Sequence, residues 1–138
     1  MAPTLTTIDH VHVFVSDRAA AEAWYARVLG LERVPSLAFW ATGGGPLTVA
    51  NAANDIHLAL FEKPREQCRS TVALGTSAAG FVAWQAHLRA ALGQEPRAVD
   101  HDASWSLYFE DPDGNPYEIT CYDHAALSAA LAKTPGVA

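Results

Sequence analysis

His10 and Glu118 stand at matching points of two alternating segments, and a histidine with a carboxylate is the beginning of a metal site. His10 lies in Ile8-Asp9-His10-Val11-His12-Val13-Phe14-Val15, where Val11, Val13 and Val15 take one face of a strand and His10, His12 and Phe14 the other. Glu118 lies in Pro116-Tyr117-Glu118-Ile119-Thr120-Cys121-Tyr122, with Glu118, Thr120 and Tyr122 on one side and Tyr117, Ile119 and Cys121 opposite. If the two strands lie side by side, imidazole and carboxylate converge. An inward carboxylate needs a cation or a donor, because burying one alone is costly. Upstream, Ser104, Ser106 and Tyr108 share one face of a further alternating segment. Tyr108 and Tyr122 are candidates to orient an oxyanion or give a proton, and Phe14, Phe39, Phe61 and Trp105 to supply apolar wall. His12 is read as pocket lining or as support for His10. His57, in Asp55-Ile56-His57-Leu58-Ala59-Leu60-Phe61, shares a face with Ala59 and Phe61. Taken alone, a strand histidine is more often a hydrogen-bonded wall residue than a ligand.

These residues need strands, turns and helices to position them. Ser16 or Asp17 can cap a helix running to about Leu29, which Gly30 ends. Three extended segments follow, Leu31 to Thr42, Leu47 to Asn51 and Ile56 to Glu62, with Gly43 to Gly45 read as a hairpin tip. After the polar break at Lys63 to Gln67 the pattern restarts: a strand from Ser70 to Thr76 and a helix from Ala79 to Leu92 that buries Phe81, Trp84, Leu88 and Leu92. Strands at about Arg97 to His101, Ser104 to Phe109 and Tyr117 to Tyr122 complete it. Between the last two, Asp111-Pro112-Asp113-Gly114-Asn115 reads as a hairpin turn, with Pro112 presetting φ and Gly114 supplying a positive φ. The expected architecture is α+β: two tandem βαβββ units, about 7–62 and about 70–123, forming a curved mixed sheet round a small-ligand cup with helices on the outer face. A helical tail covers 124–138, and the whole chain is read as a single domain.

Composition narrows the partners. The chain has 138 residues, half of them hydrophobic, which is enough to close a core. A formal charge of -6, with no basic run, argues against nucleic acid and anionic membranes and for a small-molecule ligand. No segment approaches the roughly 20 apolar residues of a membrane span. Cys68 and Cys121 lack metal-knuckle spacing, and with no leader-like segment they suggest a reducing, cytoplasmic setting.

Three stretches stand out in order: Asp9-His10-Val11 through Val15-Ser16-Asp17, Trp24-Tyr25-Ala26-Arg27-Val28-Leu29-Gly30-Leu31, and Phe109-Glu110-Asp111-Pro112-Asp113-Gly114-Asn115 followed by Tyr117-Glu118. Together they resemble the vicinal oxygen chelate superfamily, the group holding glyoxalase I, bleomycin-resistance proteins, fosfomycin-modifying enzymes and extradiol dioxygenases. The resemblance implies ligand positions on the first and last strands of each half, which fall on His10, His57, Thr71 and Glu118. Thr71 departs from the histidine common there, and a threonine hydroxyl is a poor ligand for a transition metal. His57 could substitute, so that His10, His57 and Glu118 hold a divalent ion, Fe, Zn, Ni or Mn, with positions open for a chelating substrate. Glu118 and Tyr108 are then the catalytic candidates, and His12, Phe14, Phe61, Trp105, Ser106 and Tyr122 line the ligand site; residues matching Ser106 and Tyr108 contact substrate in fosfomycin-modifying relatives. Two functions stay open. One is a metal-dependent lyase, isomerase or ring-opening dioxygenase; the other is a metal-free sequestration protein resembling bleomycin-resistance members. The resemblance also implies a homodimer.

Overall fold

The computed structural model describes residues 1–133, and the chain divides into two compact units, one ending at Gln67 and the other beginning at Cys68. Strands pair within each unit, giving two four-stranded mixed sheets with helices. This is the tandem βαβββ arrangement, in open sheets and not a closed barrel.

In the first unit, β1 (Val11–Val15) leads to α1 (Arg18–Leu29), β2 (Glu32–Arg33), helical turns over Pro35–Gly44, β3 (Leu47–Ala50) and β4 (His57–Glu62). The sheet order is β1-β4-β3-β2, with β1 parallel to β4 and the other pairs antiparallel. Asp17 caps α1 by accepting the Ala20 N–H at 3.0 Å. At the other end Gly30 takes φ 66°, and the Gly30 and Leu31 N–H groups return to the carbonyls of Ala26 and Tyr25. Trp24, Tyr25, Val28 and Leu29 then pack with Val13, Val15, Leu58 and Leu60 in the buried core, leaving the opposite sheet face to the histidines.

The expected extended segment from Leu31 to Thr42 is corrected. Only Glu32–Arg33 is strand, and helical turns begin at Pro35. Pro35 fits a first helical turn, Ser36 to Ala41 contains no β-branched residue, and the Arg18 guanidinium donates to the Gly45 and Ala41 carbonyls at 2.6 and 2.7 Å, clamping the segment back on α1. Gly43 to Gly45 accordingly end these helical turns; they are not a hairpin tip.

The second unit repeats the order with β5 (Val72–Gly75), α2 (Ala78–Leu92), β6 (Arg97–Asp100), β7 (Trp105–Glu110) and β8 (Pro116–Cys121), followed by α3 (His124–Ala132). Its sheet runs β5-β8-β7-β6, with β5 parallel to β8. Ser77 caps α2 on the Gly80 N–H at 3.0 Å, and Gly93 closes it at φ 72°. The buried face of α2 is Phe81, Gln85 and Leu88; Trp84 and Leu92 are only half-buried. Gln85 is held there by its own bond to Glu95. The part of the expected helical tail beyond residue 133 lies outside the described residues.

One ion pair ties α1 to β2. Arg33 donates to both oxygens of Glu22, at 2.7 and 2.8 Å, and this bidentate bond holds the Glu22 carboxyl below its ordinary value of 4.5. A depressed carboxylate adds stability above the unfolded value and loses it as pH falls through the folded one. The melting temperature should therefore drop on acidification below about pH 4.5, with a smaller drop in Glu22→Gln. Identical acid profiles for the two proteins would remove the pair from the account.

Candidate functional site

The sheet face left open in the first unit carries the imidazoles. His10 Nδ1 lies 2.7 Å from Asp9 Oδ2. A carboxylate only accepts, so in the neutral ring Nδ1 carries the proton and Nε2 presents its lone pair. His10 and His57 line one cavity of about 250 Å³ together with Asp9, Leu37, Trp40, Thr48 and Ala59. His57 Nε2 is 2.9 Å from Asn54 Oδ1, where Asn54 occupies a turn at φ 59°. His12 stacks on His10 with ring centres 5.1 Å apart and leans on Phe61 at 4.7 Å, which in turn meets Phe14 edge-on. His12, Phe14 and Phe61 thus form one cluster; Phe39, expected in the wall, is 64 % exposed while its neighbour Trp40 takes the lining position.

The wall depends on one glycine. A Cβ on Gly45 would stand 1.9 Å from the Trp40 carbonyl oxygen, a backbone atom that cannot step aside without moving the turn. Gly45→Ala should therefore displace the helical turns that carry Leu37 and Trp40. Amide exchange across Pro35–Gly44 should rise at least about tenfold; unchanged protection would show that the turns tolerate the methyl group.

In the second unit Glu118 lies on the open face of β8, opposite Tyr108 of β7, and Ser106 pairs with Thr120 one step along. The fully buried Ser106 donates its hydroxyl to Glu118 Oε1 at 2.5 Å and also lies 3.3 Å from Thr120 Oγ1. Tyr108 is held on both sides: its hydroxyl is 2.9 Å from His101 Nε2, and the Arg97 guanidinium lies over its ring at 4.5 Å. Trp105 and Tyr122 are not brought to this group. Trp105 pairs with Cys121 on the other face and donates its indole N–H to Ser128 of α3 at 2.8 Å, and Tyr122 lies just past β8, 78 % exposed.

Two partnerships were missed by reading the residues singly. His101 is exposed and also meets Tyr108, a contact that the direct antiparallel pairing of β6 with β7 brings within reach. His124, half-buried, lies 2.6 Å from Asp100 and stacks with Trp105. Asp100 is held below the usual carboxylate range first by the Asp102 N–H and then by His124. Ser128 and Asp100 both address Nε2 of His124, so the three do not form a hydrolytic triad, which needs serine and carboxylate on different ring nitrogens.

Sheet register also aligns the two units. With His10 matched to Thr71, Val11 pairs with Leu58 as Val72 pairs with Tyr117, so His12, Ala59 and Thr48 occupy the row that Ala73, Glu118 and Tyr108 occupy in the second unit. The first-unit counterpart of Glu118 is thus Ala59, and His57 reaches the cavity from the adjoining row. Among the described residues, no three histidine, cysteine, aspartate or glutamate side chains are gathered as a ready ligand set.

Two duplicated βαβββ units, with polar residues on the open sheet faces, define a vicinal oxygen chelate fold. The chain belongs to the Glyoxalase/Bleomycin resistance protein/Dioxygenase superfamily, whose family model matches residues 7–119. No curated protein matches the chain in sequence. Among solved structures, it is similar to the integron cassette protein HFX_CASS4 from the mobile metagenome of Halifax Harbour Sewage Outfall, with 18 % identity and a TM-score of 0.69 over 85 % of this chain and 99 % of that one. A glyoxalase family protein from Bacillus anthracis shares 21 % identity at a TM-score of 0.68, covering 89 % and 100 %. The fosfomycin resistance protein FosX from Listeria monocytogenes, whose structure is complexed with Mn(II) and sulfate, shares 14 % identity at 0.64, covering 92 % and 98 %. At such identities the likeness is one of fold. Among the described residues no helix is long and apolar enough to cross a membrane.

Proposed function

We propose that this chain is a divalent-metal-dependent enzyme acting on a small, oxygen-rich substrate, with its two units working as one vicinal oxygen chelate domain. The observation that carries the reading is His10: Asp9 fixes its proton on Nδ1, and the ring stands in the wall of a ligand-sized cavity. The donor chemistry fits a borderline ion such as Fe, Zn, Ni or Mn, with His10, His57 and Glu118 as the assigned ligands. When bound, the ion supplies Lewis-acid polarisation of two substrate oxygens. The Ser106 hydroxyl occupies one oxygen of Glu118 and leaves the other for the ion or for a proton beside a substrate carbonyl. Tyr108 can give its phenolic proton to a developing oxyanion, and His101, 2.9 Å from the phenol oxygen, can replace it. Leu37, Trp40 and Ala59 give the cavity that His10 and His57 share an apolar wall. Isomerase or lyase chemistry of the glyoxalase type and ring-opening dioxygenation both use such a set. Pairing of two copies and a cytoplasmic location belong to the same proposal.

A second reading, metal-free sequestration of a small molecule, is supported by Thr71 and Ala59, which stand at two positions where a full ligand set needs donors. A thermal-shift series on chelator-stripped protein separates the two. Stabilisation by at least one of Fe, Ni, Zn or Mn, saturating near stoichiometry, supports the enzyme; indifference to all four supports sequestration.

A further inference from the structure

We infer that His12 is a metal ligand, forming a two-imidazole chelate with His10, which directly precedes β1. This rests on the metal-dependent reading above and changes which residue completes the set in the first unit. The two Nε2 atoms lie 3.2 Å apart. Two imidazole nitrogens at about 2.0–2.1 Å from one ion are separated by roughly 2.8–3.4 Å, for angles between octahedral and tetrahedral, and the observed spacing falls in that range. His10 directly precedes β1 and His12 is its second residue, so the two side chains leave the same side of the chain, with 22° between their ring planes.

Proton placement favours the same conclusion. Asp9 holds the His10 proton on Nδ1, so Nε2 of His10 offers a lone pair toward Nε2 of His12. Two lone pairs cannot face each other at that distance. With both rings neutral and no ion, His12 places its proton on Nε2 and donates it to His10. With an ion, a neutral His12 would carry its proton on Nδ1 and present its Nε2 lone pair, as His10 does. Asp9 would then act through His10, in the carboxylate–histidine–metal arrangement that orients a ligand. His57 is differently placed, since Asn54 Oδ1, an acceptor, draws the ring proton onto its Nε2, whereas His12 Nε2 meets another imidazole nitrogen. In register terms, His12 occupies the first-unit row that corresponds to the Glu118 row of the second.

The test is calorimetric titration of the chelator-stripped, full-length protein with Zn(II) and Ni(II), comparing wild type with His12→Leu, His12→Gln and His57→Ala. Both His12 variants should lose more than about 100-fold in affinity, beyond the 10–100-fold typical of removing an outer partner. His57→Ala should lose less. Near-native melting of either His12 variant without metal keeps the comparison valid, and Cu(II) EPR of the loaded proteins should register one fewer coordinated nitrogen when His12 is absent. A His12 loss of 100-fold or less, or an unchanged nitrogen count, overturns the ligand assignment while leaving the metal-dependent reading intact. Wild-type protein that binds neither ion overturns the ligand assignment, and one that also binds neither Fe(II) nor Mn(II) overturns both.

Discussion

Replacing His10 by alanine should abolish stoichiometric divalent-metal binding, lowering affinity by well over the 10–100-fold that outer partners contribute. Loss is expected to be that large because the substitution removes a nitrogen already committed by Asp9 to present its lone pair, and with it the anchor for any neighbouring imidazole. Asp9→Asn supplies the graded control. It keeps a hydrogen-bond acceptor on Nδ1 but removes the charge, so it should weaken binding without eliminating it. Equilibrium dialysis with Zn(II) reads both, and a His10→Ala protein that binds as tightly as wild type would take His10 out of the site. Glu118→Gln extends the test to the second unit, where the amide retains the Ser106 contact but is a weaker ligand than a carboxylate.

The second large effect is on stability. Asp111→Ala should destabilise the protein by about 3 kcal/mol, since removing the acceptor for a buried donor costs about 1–3 kcal/mol per group. Asp111 and Asn115 are buried, at 5 % and 2 % exposure, inside the β7–β8 turn. The Asp111 carboxylate accepts the N–H groups of Asp113 and Asn115 at 2.9 Å and the Asn115 side-chain amide at 2.8 Å, while Asn115 Oδ1 accepts from the Cys68 N–H. The turn does more than close a hairpin. It sets the register that pairs Glu118 with Tyr108 and Ser106 with Thr120, and a slip of one residue would send Glu118 to the helix-covered side. Urea denaturation should show the loss as a lower midpoint at unchanged slope; a change below about 1 kcal/mol would mean that the network is replaceable.

Much of this was legible in the sequence because the signals were local. Alternation in Val11–Val15 and Pro116–Cys121 placed valines and isoleucine inward and His12, Glu118 and Thr120 on the open face. Asp17, Gly30 and Gly114 marked a cap, a stop and a turn through their own backbone requirements. What was not legible depended on partners distant in sequence. The turns over Pro35–Gly44 are clamped by Arg18 from α1, so a window centred on Phe39 could not foresee them. The row occupied by His57 follows from strand pairing, not from its own neighbours, and the engagement of His101 with Tyr108 follows from the pairing of β6 with β7. The closeness of His10 and His12 was implicit in their two-residue spacing. Which ring nitrogens meet required the side-chain conformations.

Elemental analysis of protein purified without added metal or chelator reads out the proposed divalent ion. Close to one equivalent of Fe, Zn, Ni or Mn per chain is expected, falling to background in His10→Ala. Wild-type protein at background for all four, which also fails to take up any of them on dialysis, would contradict it.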